Sequence, residues 1–129
     1  MPTLLIVENE PELLRAVRIR LTAAGFTCEA ARNGREALEM VERVHPDLII
    51  VDLLMPEIDG YELCRRLRSE PRTTSIPIIV LSAVPQHAID RRKDPLEAAR
   101  VLHKPFDSQE LVNAVRELVG PLTSGGRHG

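Results

Sequence analysis

The chain contains no tryptophan, one tyrosine and two phenylalanines. It therefore has no row of aromatics on which nucleic-acid bases could stack, and aliphatic side chains must build its core. Its two cysteines, Cys28 and Cys64, lie far apart and outside any C-x-x-C arrangement. That argues against a disulfide framework. It leaves two thiols best read as small buried hydrophobes in a reducing compartment. His45, His87, His103 and His128 show no metal-ligand spacing. Neither sign of charge dominates: 17 Lys and Arg stand against 19 Asp and Glu, a net charge of −2. Nothing global recruits nucleic acid or an anionic membrane. No apolar run reaches membrane length and no leader pattern is present, so the expected location is cytoplasmic.

What is present is regular. The 129 residues, 43% of them hydrophobic, suit one domain with a real core. Apolar runs occur at Leu4 to Val7, Leu48 to Leu54 (broken only by Asp52), Ile76 to Leu81 (with Pro77) and Ala98 to Leu102 (broken by Arg100). Near-continuous runs mark strands covered on both faces. Phe26 to Ala31 is weaker, and Thr27 and Glu29 suggest an edge strand. Helical stripes lie between. Leu13, Leu14, Val17 and Leu21 share a face, stopped by Gly25 at a left-handed cap. Ala37, Leu38, Val41 and Val44 follow Asn33 as N-cap, with Glu36 in the capping-box position. Asp59 with Glu62 repeats that signature before Leu63 and Leu67. Asp107 with Glu110 repeats it before Leu111, Val112, Val115 and Leu118. Gln86 to about Asp94, bracketed by Pro85 and Pro95, is the weakest helical pattern. Its Arg91-Arg92-Lys93 reads as a solvated face more readily than as a partner patch. After Val119 the composition is that of a disordered tail, so the expected division is a domain at 1–119 and a tail at 120–129.

Strand then helix, five times, predicts an α/β fold with right-handed crossovers and helices on both faces of a parallel sheet. Ligands of such sheets bind at the carboxyl ends of the strands. That rule alone selects Glu8 and Asn9, Asp52, Ser82 and Lys104 as one rim. Asp47 is a control. It lies five residues before Asp52, roughly 16 Å along a strand rising about 3.3 Å per residue, and so belongs to the opposite edge. Asp52 interrupts an apolar run, which is costly unless the carboxylate is paired. Taken singly, Ser82 also reads as a turn cap and Lys104 as a solvated charge. Together the rim suits a divalent metal and phosphoryl chemistry: oxygen ligands for Mg²⁺, a carboxylate nucleophile and an ammonium to neutralise charge.

These residues resemble the receiver domains of two-component response regulators, the CheY-like superfamily of phosphorelay signalling. The resemblance runs from about Leu4 to Val119. It rests on Val51-Asp52-Leu53-Leu54-Met55-Pro56-Glu57-Ile58-Asp59-Gly60, the acidic segment Leu4 to Glu12, Leu81-Ser82-Ala83, and His103-Lys104-Pro105-Phe106. It implies a doubly wound, flavodoxin-like five-stranded parallel sheet of order 2-1-3-4-5, with a Lys–Pro bond that is typically cis. It also implies that Asp52 accepts a phosphoryl group from a sensor histidine kinase or phosphotransfer protein. Ser82 and Lys104 would bind the phosphoryl oxygens, Ala83 would leave room beside them, and Mg²⁺ would be held by Glu8, Asn9, Asp52 and the Leu54 backbone carbonyl. The implied protein is a switch rather than an enzyme on external substrates. Without an output domain it is expected to stand alone and bind a downstream protein. No direct DNA binding and no membrane are expected, and homodimerisation is left open.

Three positions depart from the family pattern. Asn9 replaces the second acidic residue and removes a negative charge from the metal site. Val101 stands where an aromatic often relays the switch, and Glu97 where glycine is usual. A phosphate-independent interaction module is the alternative these favour. An aspartate-nucleophile hydrolase would need a second Asp two residues after the nucleophile, where Leu54 stands.

Overall fold

In a computed structural model, which describes residues 1–92 and 96–120, the elements alternate as the runs and stripes require. They are β1 (Thr3–Val7), α1 (Pro11–Ala23), β2 (Thr27–Ala31), α2 (Gly34–Val44), β3 (Leu48–Asp52), α3 (Gly60–Ser69), β4 (Ile78–Ser82), α4 (Gln86–Asp90), β5 (Arg100–His103) and α5 (Ser108–Val119). The sheet is parallel, in the order β2-β1-β3-β4-β5, with β2 at an edge as its polar residues suggest. Of the tail expected at 120–129, residues 121–129 lie outside the described residues, as does Lys93 of the basic cluster.

Alternation along the strands feeds two cores. Leu4, Ile6, Leu48, Ile50, Ile79, Leu81 and Leu102 pack with α1 and α5. Leu5, Val7, Ile49, Val51, Ile78 and Val80 pack with α2, α3 and α4. The three central strands are buried on both faces, so their sequences read as unbroken apolar runs rather than alternating ones. Cys28 and Cys64 are free and buried within these layers. Burial pushes the Cys64 thiol up to about 12 and raises Cys28 in the same direction. Neither is a ready nucleophile.

The helix ends follow the sequence with instructive exceptions. Gly25 has φ 103°, its N–H bonds Thr22 O (3.0 Å) and Phe26 N–H bonds Leu21 O (3.2 Å). This is a Schellman stop, and its hydrophobic partners Leu21 and Phe26 enter the same core. Asn33 and Asp59 each cap the amide three residues on, Glu36 N at 2.8 Å and Glu62 N at 2.9 Å, each worth about 1 kcal/mol. The return arm of the capping box differs. Glu36 accepts from Arg32 N, one residue earlier, and Glu62 is taken by Arg65 and Arg66. Asp107 caps Gln109 N rather than Glu110 N. Within the described residues α4 is shorter than its pattern suggests, ending at Asp90, where apolar positions run out. The fourth strand starts after Pro77, which has no N–H to give a ladder but accepts from Ile49 N. The fifth starts at Arg100 because Ala98 N–H is spent on Leu96 O in a turn.

Candidate functional site

Register assembles the site. Val7 pairs with Val51 and Asp52 with Leu81, so Glu8 and Asp52 rise side by side past the β1–β3 junction, where the strand order reverses. Ser82 pairs with His103, and Lys104 N–H then donates to Ser82 O at 2.7 Å. The Lys104–Pro105 bond is cis, as the family resemblance implied. A register slip of one residue would turn these side chains to the opposite faces.

Asp52 is 4% exposed and Glu8 1% exposed, two carboxylates in one buried corner. Lys104 Nζ stands 3.3 Å from Asp52 Oδ2 and 3.9 Å from Glu8 Oε1. Leu54 N–H donates to Asp52 Oδ1 at 3.3 Å, and Glu10 N–H to Glu8 Oε2 at 3.1 Å. Glu8 Oε1 has no hydrogen-bond donor although it is fully buried. One lysine thus stands between two buried carboxylates. Burial first, then the neighbouring Asp52 side chain, pushes the Glu8 carboxyl up to about 7 against an ordinary 4.5.

The other expected residues lie close by with distinct roles in this conformation. Asn9 is exposed beside Glu8, and the Leu54 side chain is 54% exposed. Ser82 is fully buried, and its hydroxyl accepts from Val84 N–H (2.8 Å) and donates to Val84 O (3.0 Å). The turn-cap role is thus filled. Ala83 is exposed. Val101 packs part-buried against the α2–α4 layer, and Glu97 is exposed. Asp47, at the other end of β3, accepts from Thr3 N at 2.8 Å and takes no part in the rim.

An orphaned buried carboxylate oxygen next to a second carboxylate is a donor set that suits a hard dication. Among the described residues no three His, Cys, Asp or Glu are grouped to hold a metal ion, and Asn9 stands where the family resemblance implies a further acidic residue. Two glycines escaped the sequence reading as site residues. A Cβ on Gly60 would come within 2.6 Å of Leu53 Cα and 2.9 Å of Asp52 O, so α3 begins against the backbone of Asp52 itself. Gly34 meets Ile58 as tightly. The signal was a glycine directly after an N-cap, where helix propensity gives no reason for one.

Residues 4–116 match the response regulator receiver domain family. The chain is a receiver domain. It is 35% identical to the DNA-binding dual master transcriptional regulator RpaA of Synechocystis, over 92% of this chain and 49% of that protein. It spans about half the length of the curated relatives it matches. Among solved structures, the signal receiver domain of a signal transduction histidine kinase from Syntrophus aciditrophicus superposes with a TM-score of 0.87. That pair is 35% identical, covering 100% of this receiver and 95% of the other. The receiver domain of a sensor histidine kinase from Pseudomonas aeruginosa, solved with magnesium coordinated in its active-site cleft, has a TM-score of 0.85. It is 26% identical, covering 93% and 98% of the two chains. No helix among the described residues is long and apolar enough to cross a membrane.

Proposed function

We propose that this receiver is a phosphorylation switch in which Asp52 accepts a phosphoryl group from the histidine of a sensor kinase or phosphotransfer protein. The phosphorylated form would then bind a downstream protein, in the cytoplasm. The observation that carries the reading is the buried Asp52 with Lys104 Nζ 3.3 Å from its Oδ2. A carboxylate buried with one cation and a second carboxylate is held for a charge change, not for stability.

An Asp52 oxygen bonds phosphorus as the donor's nitrogen–phosphorus bond breaks, and the leaving imidazole takes up a proton. Lys104 neutralises charge on the transferred oxygens. Leu54 N–H steadies the attacking carboxylate. Glu8, Asn9, Asp52 and the Leu54 carbonyl would hold Mg²⁺, which supplies Lewis-acid charge neutralisation when bound. Ser82 reaches the phosphoryl group only by leaving Val84, so the β4–α4 turn would rearrange as the switch is thrown. The chain acts on its own carboxylate rather than on an external substrate.

The engaged Ser82 hydroxyl, with Asn9 in the metal site, favours one second reading, a phosphate-independent interaction module. Incubation of wild type and Asp52→Asn with acetyl phosphate and Mg²⁺ separates the two. Labelling of wild type alone is expected. Equal labelling of both, or of neither, contradicts the switch.

A further inference from the structure

Residues 53–59, between Asp52 and α3, form a loop whose base is closed. Gly60 N–H donates to Leu53 O at 2.8 Å and Leu53 N–H to Leu81 O at 2.9 Å. Its outer arm has no such ladder. Glu57 sits there at φ 65°, a left-handed conformation that favours glycine and needs support from its surroundings. On that side the loop meets the first turn of α2. Arg35 NH2 stands 3.3 Å from Glu57 Oε1, but both side chains are mostly exposed, so this pair contributes little alone. Gly34 carries more. A Cβ at Gly34 would lie 2.8 Å from both Cβ and Cγ2 of Ile58 and 3.1 Å from Ile58 O. Those atoms are the stiff root of a β-branched side chain and the main chain itself, and neither can swing aside.

We infer that Gly34 and Ile58 form a positioning contact through which the start of α2 sets where the loop holds Leu54 against Asp52. The inference rests on reading Asp52 as the phosphoryl acceptor. The Leu54 N–H to Asp52 Oδ1 bond is already long at 3.3 Å, so a small shift of the loop decides whether it forms. Leu54 is also the residue whose carbonyl faces metal duty in the proposed function. Alanine is a better helix former than glycine. A loss of function in a folded Gly34→Ala chain would run against helix propensity and point to Ile58.

A double-mutant cycle tests this. The variants are Gly34→Ala, Ile58→Gly, which removes the two side-chain contacts at 2.8 Å and leaves the one to Ile58 O at 3.1 Å, and the pair. Phosphorylation by acetyl phosphate with Mg²⁺ is followed at varied donor. In parallel, the Leu54 amide is followed by ¹H–¹⁵N correlation spectra without donor. Gly34→Ala is expected to lower the rate at saturating donor about tenfold, with little change in donor KM, because a loop misplaced by a fraction of an ångström spoils alignment rather than binding. In the Ile58→Gly background the same substitution is expected to cost less than about twofold. The Leu54 amide should move in Gly34→Ala, and in Ile58→Gly, which introduces no clash and guards against a Gly34 variant that fails to fold. An unshifted Leu54 amide in both single variants, or an equal rate loss in both backgrounds, overturns the positioning role. If wild type takes up no phosphoryl group, it is the switch reading that fails, and the amide shifts, which need no donor, still decide the contact.

Discussion

Strand β3 has an aspartate at each end, and the two are satisfied in opposite ways. Asp47 is exposed, accepts from Thr3 N–H at 2.8 Å and returns its own N–H to Thr3 O at 2.8 Å. Backbone groups fix it, and they cannot leave. Asp52 is buried, with a lysine, a second buried carboxyl group beside it and one long amide bond. Its closest partner is a side-chain ammonium, and in the proposed switch that charge turns to the phosphoryl oxygens. The difference teaches that a carboxylate's role is read from whether its partners are permanent, more than from its burial or its strand.

The comparison breaks most visibly at Lys104. Lys104→Ala should slow phosphorylation of Asp52 about a hundredfold, since one charge aimed at the transferring group is typically worth that much. Asp47→Ala should leave the rate unchanged and cost about 1 kcal/mol of stability through the lost Thr3 hydrogen bond. Rate assays paired with urea unfolding measure both, and a comparable rate loss in the two variants would erase the contrast between the ends.

Next in size is loss of the phosphoryl group. Leu54 and Val84, two residues after Asp52 and Ser82, are apolar and cannot orient an attacking water. Phosphorylated wild type should therefore decay slowly. Leu54→Asn with Val84→Glu should decay about tenfold faster or more, as positioned general-base help usually gives. A decay time course after donor removal reads it, and a double variant no faster than wild type would show that water positioning is not limiting.

A smaller effect is expected at Asn9. Asn9→Asp should tighten Mg²⁺ several-fold by restoring a third negative charge near Glu8 and Asp52. Titration calorimetry would expose an Asn9 that faces away from the metal as unchanged binding.

The mildest effect is on stability. Burial pushes the Glu8 carboxyl up to about 7 in the folded chain, against an ordinary 4.5. The folded chain therefore holds a proton that the unfolded chain has lost between those values, and stability falls as pH rises from about 4.5 to about 7. Without divalent cations, Glu8→Gln should raise the melting temperature near pH 8 and change it little near pH 5. A gain that is instead larger at pH 5 would reverse the sign of this account.

Much of this was legible in the sequence. Unbroken apolar runs imply a sheet covered on both faces, and the strand-end rule selects Glu8, Asn9, Asp52, Ser82 and Lys104. Asp47 was separated from Asp52 by counting alone. The rest depends on competition between partners, which a sequence does not rank. Glu62 had two reachable arginines and left its capping box for them. The Ser82 hydroxyl could serve a turn or a phosphoryl group and serves the turn here. Glu57 is left-handed although nothing in its own side chain favours that conformation. The raised Glu8 carboxyl needed the register of β1 on β3, which no single strand contains.

The most direct test maps the phosphoryl group itself. Borohydride converts an aspartyl phosphate to homoserine. Peptide mapping of the donor-treated, reduced chain should find homoserine at position 52 and intact aspartate at position 47. Homoserine at 47, or none at 52, would contradict the account.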